Sequence, residues 1–220
     1  MRAVAIDGPA GAGKSTIAKK LAGELGFIYV DTGALYRAIG YFVLSKGGDV
    51  HDAESIAGLL TGIEIELRHI NTEQRVFLNG NDITNKIRTE AVSMAASAVS
   101  AHALVRDYLM DLQRDLSVEN DVVMDGRDIG SVVLPNADIK IYLTASPEER
   151  AMRRYNELCE KGIAADYNAV LEDLYKRDSD DTNRAVAPLK AAEGAIIVDT
   201  TGNTLEQSIE LLSGIVRERL

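Results

Sequence analysis

The chain holds one cysteine, Cys159, in 220 residues, so no internal disulfide can form and a reducing compartment suits it. It contains no apolar run long enough to cross a bilayer, and its start, MRAVAIDG, lacks the layout of a signal peptide. These absences predict a soluble cytoplasmic protein. Basic charge is also scarce. The 24 Lys and Arg residues stand against 34 Asp and Glu, a formal charge of −10, which argues against a broad basic surface for nucleic acid. A site for a small anion must then be built locally, from a few cations and backbone amides. There is no clear repeat, low-complexity tract or long linker. His51, His69 and His102 lack the spacing of metal ligands, and Cys159 reads as helix packing rather than a reactive thiol.

Hydrophobic residues make up 46% and charged residues 26% of the chain, the balance of a globular protein with room for one α/β domain. Short apolar runs at Ala3 to Ile6, Phe27 to Val30, Val122 to Met124, Ile139 to Leu143 and Ala195 to Val198 alternate with helical patterns. That rhythm predicts parallel strands joined by crossover helices. Helices are expected from Lys14 to about Leu25 and from about Ala34 to Lys46. Ser146-Pro147-Glu148-Glu149 predicts an N-cap, a first-position proline and a capping-box acid, and Thr204 with Gln207 repeats the capping-box spacing. From Ile63 to Ile70 apolar and polar residues alternate, Asn71 to Gln74 reads as a turn, and the alternation resumes from Arg75 to Leu78. This predicts an antiparallel hairpin inserted in the parallel core.

Gly8-Pro9-Ala10-Gly11-Ala12-Gly13-Lys14-Ser15 fits the pattern G-x-x-x-x-G-K-[ST], between a strand and a helix. Glycines let such a loop curl until its N–H groups face phosphate oxygens, and the helix N-terminus adds favourable potential. Lys14 is expected to reach the β- and γ-phosphates of a nucleoside triphosphate, and the Ser15 hydroxyl to ligate Mg2+. A guanine-reading N-K-x-D is missing. The nearest string, Asn85-Lys86-Ile87-Arg88, lacks the aspartate, so a GTPase is disfavoured.

Three further stretches are unusual. Asp31-Thr32-Gly33-Ala34-Leu35-Tyr36-Arg37 and Asp125-Gly126-Arg127-Asp128 each follow a strand, at the sheet edge where ligands bind in open parallel sheets. The first could be no more than a helix cap, the second no more than an ion pair at a strand end. The third is RDSDDTNRAVAPL, Arg177 to Leu189, which on its own reads as a solvated charge run. Arg150, Arg153 and Arg154, spaced i, i+3, i+4, read either as a basic helix face paired with Glu157 and Glu160 or as arginines that close over a phosphoryl group.

GPAGAGKST (Gly8 to Thr16), DTGALYR (Asp31 to Arg37), DGRDIG (Asp125 to Gly130) and RDSDDTNRAVAPL occur in this order in bacterial cytidylate kinases, the (d)CMP kinases. The resemblance spans essentially the whole chain, and its last two motifs are more specific than the phosphate loop. It implies a three-layer P-loop α/β fold, with a central parallel five-stranded sheet flanked by helices, a small antiparallel β-containing insertion and a short helical lid. As a single domain, residues 1–62, 89–149 and 166–220 would be core, about 63–88 a monophosphate-binding insertion and about 150–165 the lid.

The resemblance further implies phosphoryl transfer from ATP to CMP and dCMP with Mg2+, by a monomer that engages neither nucleic acid nor membrane. Gly8 through Thr16, including Pro9, Ala10, Gly11, Ala12 and Gly13, would hold ATP, with Ser15 on the metal. Lys14, Arg127, Arg153 and Asp125 would serve catalysis, Asp125 by ordering the metal's water shell. Arg37 and Arg127 would bind the CMP phosphate, with Thr32 and Tyr36 lining the pocket. Asp128, Ser97 and Arg106 would read cytosine, and Arg177, Asp181 and Arg184 would meet the sugar and phosphate. Asp178 and Asp180 are expected to be surface charges. No general base is visible, and an acceptor phosphate that is already anionic needs none. Two other readings remain open on the residues alone: another small-molecule P-loop kinase acting on UMP, shikimate or gluconate, and a nucleotide-binding regulatory module without turnover.

Overall fold

The computed structural model describes residues 1–70 and 73–220, so Asn71 and Thr72 of the expected turn lie outside the described residues. The chain divides into two compact units, Met1–Tyr29 with Ser117–Leu220, and Val30–Leu116.

The sheet consists of β1 (Ala3–Asp7), β2 (Ile28–Asp31), β6 (Val122–Gly126), β7 (Ile139–Thr144) and β8 (Ile196–Asp199), in the order β2-β6-β1-β7-β8. All five apolar runs expected to be strands are strands. The central strand β1 and its neighbour β6 are buried along nearly their whole length, which is why they read as unbroken apolar runs rather than alternating ones. They pair in parallel with Ile6 opposite Asp125 and Asp7 opposite Gly126. Parallel pairing brings the C-terminal ends of β1 and β6 side by side, and with them the loops that follow. In the first unit α1 (Lys14–Leu25) and α8 (Leu205–Arg217) cover the sheet. Ile17 and Leu21 of α1 and Leu212 and Val216 of α8 join Val4, Ile6, Val123 and Ile141 in one core, each large side chain contributing roughly 1.5–3 kcal/mol by leaving water.

The helix signals read from the sequence are partly realised. At Thr204 both capping-box hydrogen bonds form. At α6 (Pro147–Glu160) Ser146 caps Glu149 N–H, but the Ser146 N–H donates to Thr201 and the Glu149 carboxylate accepts from Gly202 N–H and Arg153. The capping box there stays half-made because a neighbouring loop offers both groups other partners. The charged run of Arg177 to Arg184 largely belongs to a 17-residue helix, α7 (Tyr167–Asn183).

In the second unit β3 (Ile65–Ile70), β4 (Glu73–Leu78) and β5 (Asn81–Asp82) form an antiparallel sheet. Its register sets Ile65 opposite Leu78 and Leu67 opposite Val76, the apolar face that the alternation predicts. Glu73 and Gln74, expected in the turn, lie in β4. The helices are α2 (Thr32–Ser45), α3 (Ala53–Leu60), α4 (Glu90–Ser100) and α5 (Ala103–Glu119), with α4 and α5 separated at His102 as the sequence suggests. Leu35 and Ile39 of α2, Val99 of α4 and Leu109 of α5 are fully buried in this unit's core.

One glycine fixes where the phosphate loop leaves the sheet. A Cβ on Gly8 would lie 1.9 Å from the carbonyl oxygen of Leu143 on β7, a contact that neither backbone can relieve. Gly8→Ala should therefore lose about 3 kcal/mol or more of stability. Urea unfolding measures this, and a variant within 1 kcal/mol of the parent would show that the strand end can yield.

Candidate active site

The loop after β1 closes on α1, whose N-cap is Gly13 at φ 87°. This left-handed conformation suits glycine, and glycine gives the helix no side-chain cap, the condition in which an anion can meet its first amides. Lys14 begins the helix and is buried. Its Nζ donates to the Pro9 carbonyl at 2.7 Å, which draws the ammonium across the loop. Burial and the Arg127 charge together lower its pKa to about 7, against the opposing pull of Asp125, Asp181 and Asp7.

The end of β6 supplies Asp125, which is buried. Its Oδ2 accepts from Ser15 Oγ at 2.8 Å and its Oδ1 from Tyr29 Oη at 2.9 Å. The tyrosine, from the neighbouring strand β2, thus fixes one carboxylate oxygen while the other faces the serine of the phosphate loop. One residue beyond the strand, Arg127 donates from Nε to Asp181 Oδ2 at 2.8 Å. Burial disfavours the guanidinium charge, but Asp181, Asp125 and Asp178 overcome that and raise its pKa. Arg184 pairs with Asp128 at 3.6 Å and more distantly with Asp181 at 4.0 Å. Asp128, Asp181 and Arg184 are almost fully buried, so the DGRDIG loop and the end of α7 share one network of two arginines and two carboxylates. Two further bonds set its shape: Arg184 Nε to the Ala187 carbonyl at 2.6 Å, and Leu189 N–H to the Asp181 carbonyl at 2.8 Å. Arg177 lies one turn before Asp181 on the same helix.

A carboxylate that the sequence reading passed over holds this loop in place. Asp7, at the end of β1, is buried and accepts from Ile129 N–H at 2.7 Å and Gly130 N–H at 2.8 Å. These residues open the π-helical turn Ile129–Val133, a rare local form that favours functional positions. Burial raises the Asp7 pKa to about 6, aided by repulsion from Asp128 and opposed by the two backbone bonds.

The arginines of α6 go to different partners. Arg153 donates to Glu149 at 3.1 Å and to the Thr200 carbonyl at 3.0 Å, and its Nη1 lies 4.0 Å from where a Cβ on Gly13 would stand. It is thus at the mouth of the phosphate loop. Arg154 pairs with Glu157 at 2.9 Å, as the solvated-face reading expects. Arg150 is buried beneath the loop.

In the second unit Asp31 does two things at once. Its Oδ1 caps α2 by accepting from Ala34 N–H at 3.0 Å, and its Oδ2 accepts from Arg37 Nη2 at 2.7 Å. Capping and arginine placement are one device, and the buried Nε of Arg37 is left without a hydrogen-bond partner among the described residues. Thr32 is buried at the start of α2. Arg106, which in isolation reads as a solvated charge, is 3% exposed. Its guanidinium lies 5.7 Å from the centre of the Tyr36 ring, where cation–π attraction offsets part of the cost of burial. Ser97 is half-buried on α4.

A protein-family model described as Cytidylate kinase matches residues 4–218. The chain belongs to the cytidylate kinase family. A cytidylate kinase of Caldicellulosiruptor bescii is 49% identical over 207 residues, 94% of this chain and 92% of that one. One from Shouchella clausii is 48% identical over 215 residues, 98% and 96% of the two chains. Among solved structures, an uncharacterised protein of Eubacterium ventriosum aligns over 100% of both chains with a TM-score of 0.54 at 11% identity, a likeness of fold alone.

Asp7, Tyr29 and the buried place of Arg150 are not among the features that the sequence singles out. Asp7 carried the signal that singled out Asp125, an acid directly after an apolar strand. Its raised pKa has a consequence for stability. The folded state holds the Asp7 proton more tightly than the unfolded chain, so this contribution is complete below about pH 4 and is lost as pH rises through about 6. The stability of the parent relative to Asp7→Asn should therefore fall by ~3 kcal/mol between pH 4 and pH 7. Urea unfolding across that range measures the difference, and parallel profiles would mean that Asp7 ionises as an ordinary carboxylate.

Proposed function

We propose that this member of the cytidylate kinase family transfers the γ-phosphoryl group of ATP to CMP and dCMP, giving CDP and dCDP. The observation that carries the reading is electrostatic. Lys14 of the phosphate loop lies within the field of Arg127 and Asp181, so a triphosphate cradle and a second cation–carboxylate network occupy the same unit. A site built only to hold ATP needs no second network.

In this reading the loop amides and Lys14 hold the β- and γ-phosphates, and Arg153 meets the transferring group from α6. Arg127 binds the CMP phosphate as a fork. Asp128 accepts from the cytosine amine, and the roles that the resemblance gives Arg37, Ser97 and Arg106 of the second unit are a phosphate fork and donors to N3 and O2. Uracil would leave such buried groups unpaired, which is a strong means of rejection. Asp181 accepts from ribose hydroxyls, with Arg177 and Arg184 beside the sugar and phosphate. Both carboxylates now hold arginines, so substrate binding exchanges one set of partners for another at little extra cost in desolvation.

The oxygens of Ser15 and Asp125, 2.8 Å apart, are the hard donors that Mg2+ favours, and a bound ion would neutralise charge on the β- and γ-phosphates. No base is needed, because the CMP phosphate oxygen is anionic near neutral pH. The chain's contribution is alignment, charge neutralisation and exclusion of water. Residues 63–88 serve as the monophosphate-binding insertion and residues 150–165 as the lid of a cytoplasmic monomer. Among the described residues no helix is long and apolar enough to cross a membrane.

An ADP-release assay with CMP, dCMP, UMP, AMP and shikimate, run on the parent and on Asp128→Asn, tests the proposal. CMP or dCMP should be the fastest acceptor, and the variant should lose about tenfold or more of the CMP preference over UMP. Faster turnover of a non-cytidine acceptor would reject the substrate, and an unchanged ratio of kcat/KM values would reject Asp128 as a reader of the base.

A further inference from the structure

Arg150 has the position of a lid arginine in sequence, yet its guanidinium is spent on the protein. It is 3% exposed, and its three nitrogens reach three separate segments. Nε donates to the Ala145 carbonyl at 2.9 Å, at the end of β7, and Nη1 to the Ala10 carbonyl at 2.9 Å, on the phosphate loop. Nη2 donates to Asp178 Oδ2 on α7 at 2.6 Å. This corrects the expectation that Asp178 is a free surface charge. The loop also rests directly on α6, because a Cβ on Gly11 would stand 3.1 Å from the Arg150 Cβ. Around this contact Ala10, Ala151, Val170 and Leu174 form an apolar cluster of their own. Asp178 follows Arg177 and precedes Asp181 by three residues, on the helix to which the acceptor residues are assigned.

We propose that Arg150 and Asp178 are positioning residues that tie the crest of the phosphate loop to the acceptor helix, so that donor and acceptor are held in one fixed alignment. The inference rests on the function proposed above. Only a planar fork with several donors serves three acceptors at once, and a lysine ammonium in its place would leave at least one buried acceptor poorly met. A carboxylate on the acceptor helix would then influence ATP, which it does not touch, through Arg150 and the Ala10 carbonyl. Transfer depends on in-line placement of the two phosphates, so a small slip at this joint acts on both substrates.

The test compares Asp178→Asn, whose site is partly exposed, with Arg150→Lys and with the double variant. Calorimetry with a non-hydrolysable ATP analogue and no acceptor gives the donor affinity, steady-state kinetics give KM for CMP, and thermal melting reports the fold. Each single variant should weaken analogue binding and raise KM for CMP, both by about tenfold, and the double variant should be no worse than Arg150→Lys alone. Unchanged analogue affinity in a folded Asp178→Asn, with or without a lower Tm, would overturn the link, as would effects that multiply in the double variant. The analogue measurement needs no turnover. Failure of the parent to phosphorylate CMP would thus count against the function, while the binding data would still decide the link.

Discussion

Taking an arginine out of water is costly unless a partner offsets the lost hydration, and in this chain the pairing of Arg127 with Asp181 at 2.8 Å sets the terms for the rest of its unit. It joins the loop after β6 to the end of α7. Around it Arg184 bridges Asp128 and Asp181, Asp7 fixes the amides of the DGRDIG turn, and Lys14 lies within reach of the same charges. A chain of net charge −10 gains in this way a local store of cations without a basic surface. Arg127 and Arg184 are each neutralised by a carboxylate that, in the proposed reaction, changes partners when substrate arrives. The network is thus a means of folding and, in the proposed function, also the site.

The parts of the site legible in the sequence are those written in consecutive residues. The phosphate loop is one such part, since its curl follows from Gly8 to Ser15 and its anchorage from a strand on one side and a helix on the other. The five strands are another, because a strand buried on both faces leaves an unbroken apolar run. The antiparallel hairpin left the opposite trace, alternation with one wet face. Asp31 was read as either a cap or part of a site, and it is a cap that also places Arg37.

What the sequence hid depends on partners far along the chain. Arg106 reads as a surface charge until the fold lays it over Tyr36, and Asp178 until Arg150 reaches it from another helix. Nothing near Asp7 in sequence announces Ile129 and Gly130 as its donors. Glu149 stands at a capping-box position, yet Gly202 and Arg153 take its carboxylate. The order of the four motifs, more than any one of them, carried the resemblance to cytidylate kinases, because a lone charged string such as RDSDDTNR is compatible with an ordinary solvated helix.

The central claim is that Arg127 and Asp181 hold each other in readiness for the acceptor. A crystal structure with CMP bound tests it directly. The account predicts the CMP phosphate within about 3 Å of the Arg127 guanidinium, and Asp181 accepting from a ribose hydroxyl. CMP bound away from Arg127, with Asp181 making no contact to the sugar, would contradict it.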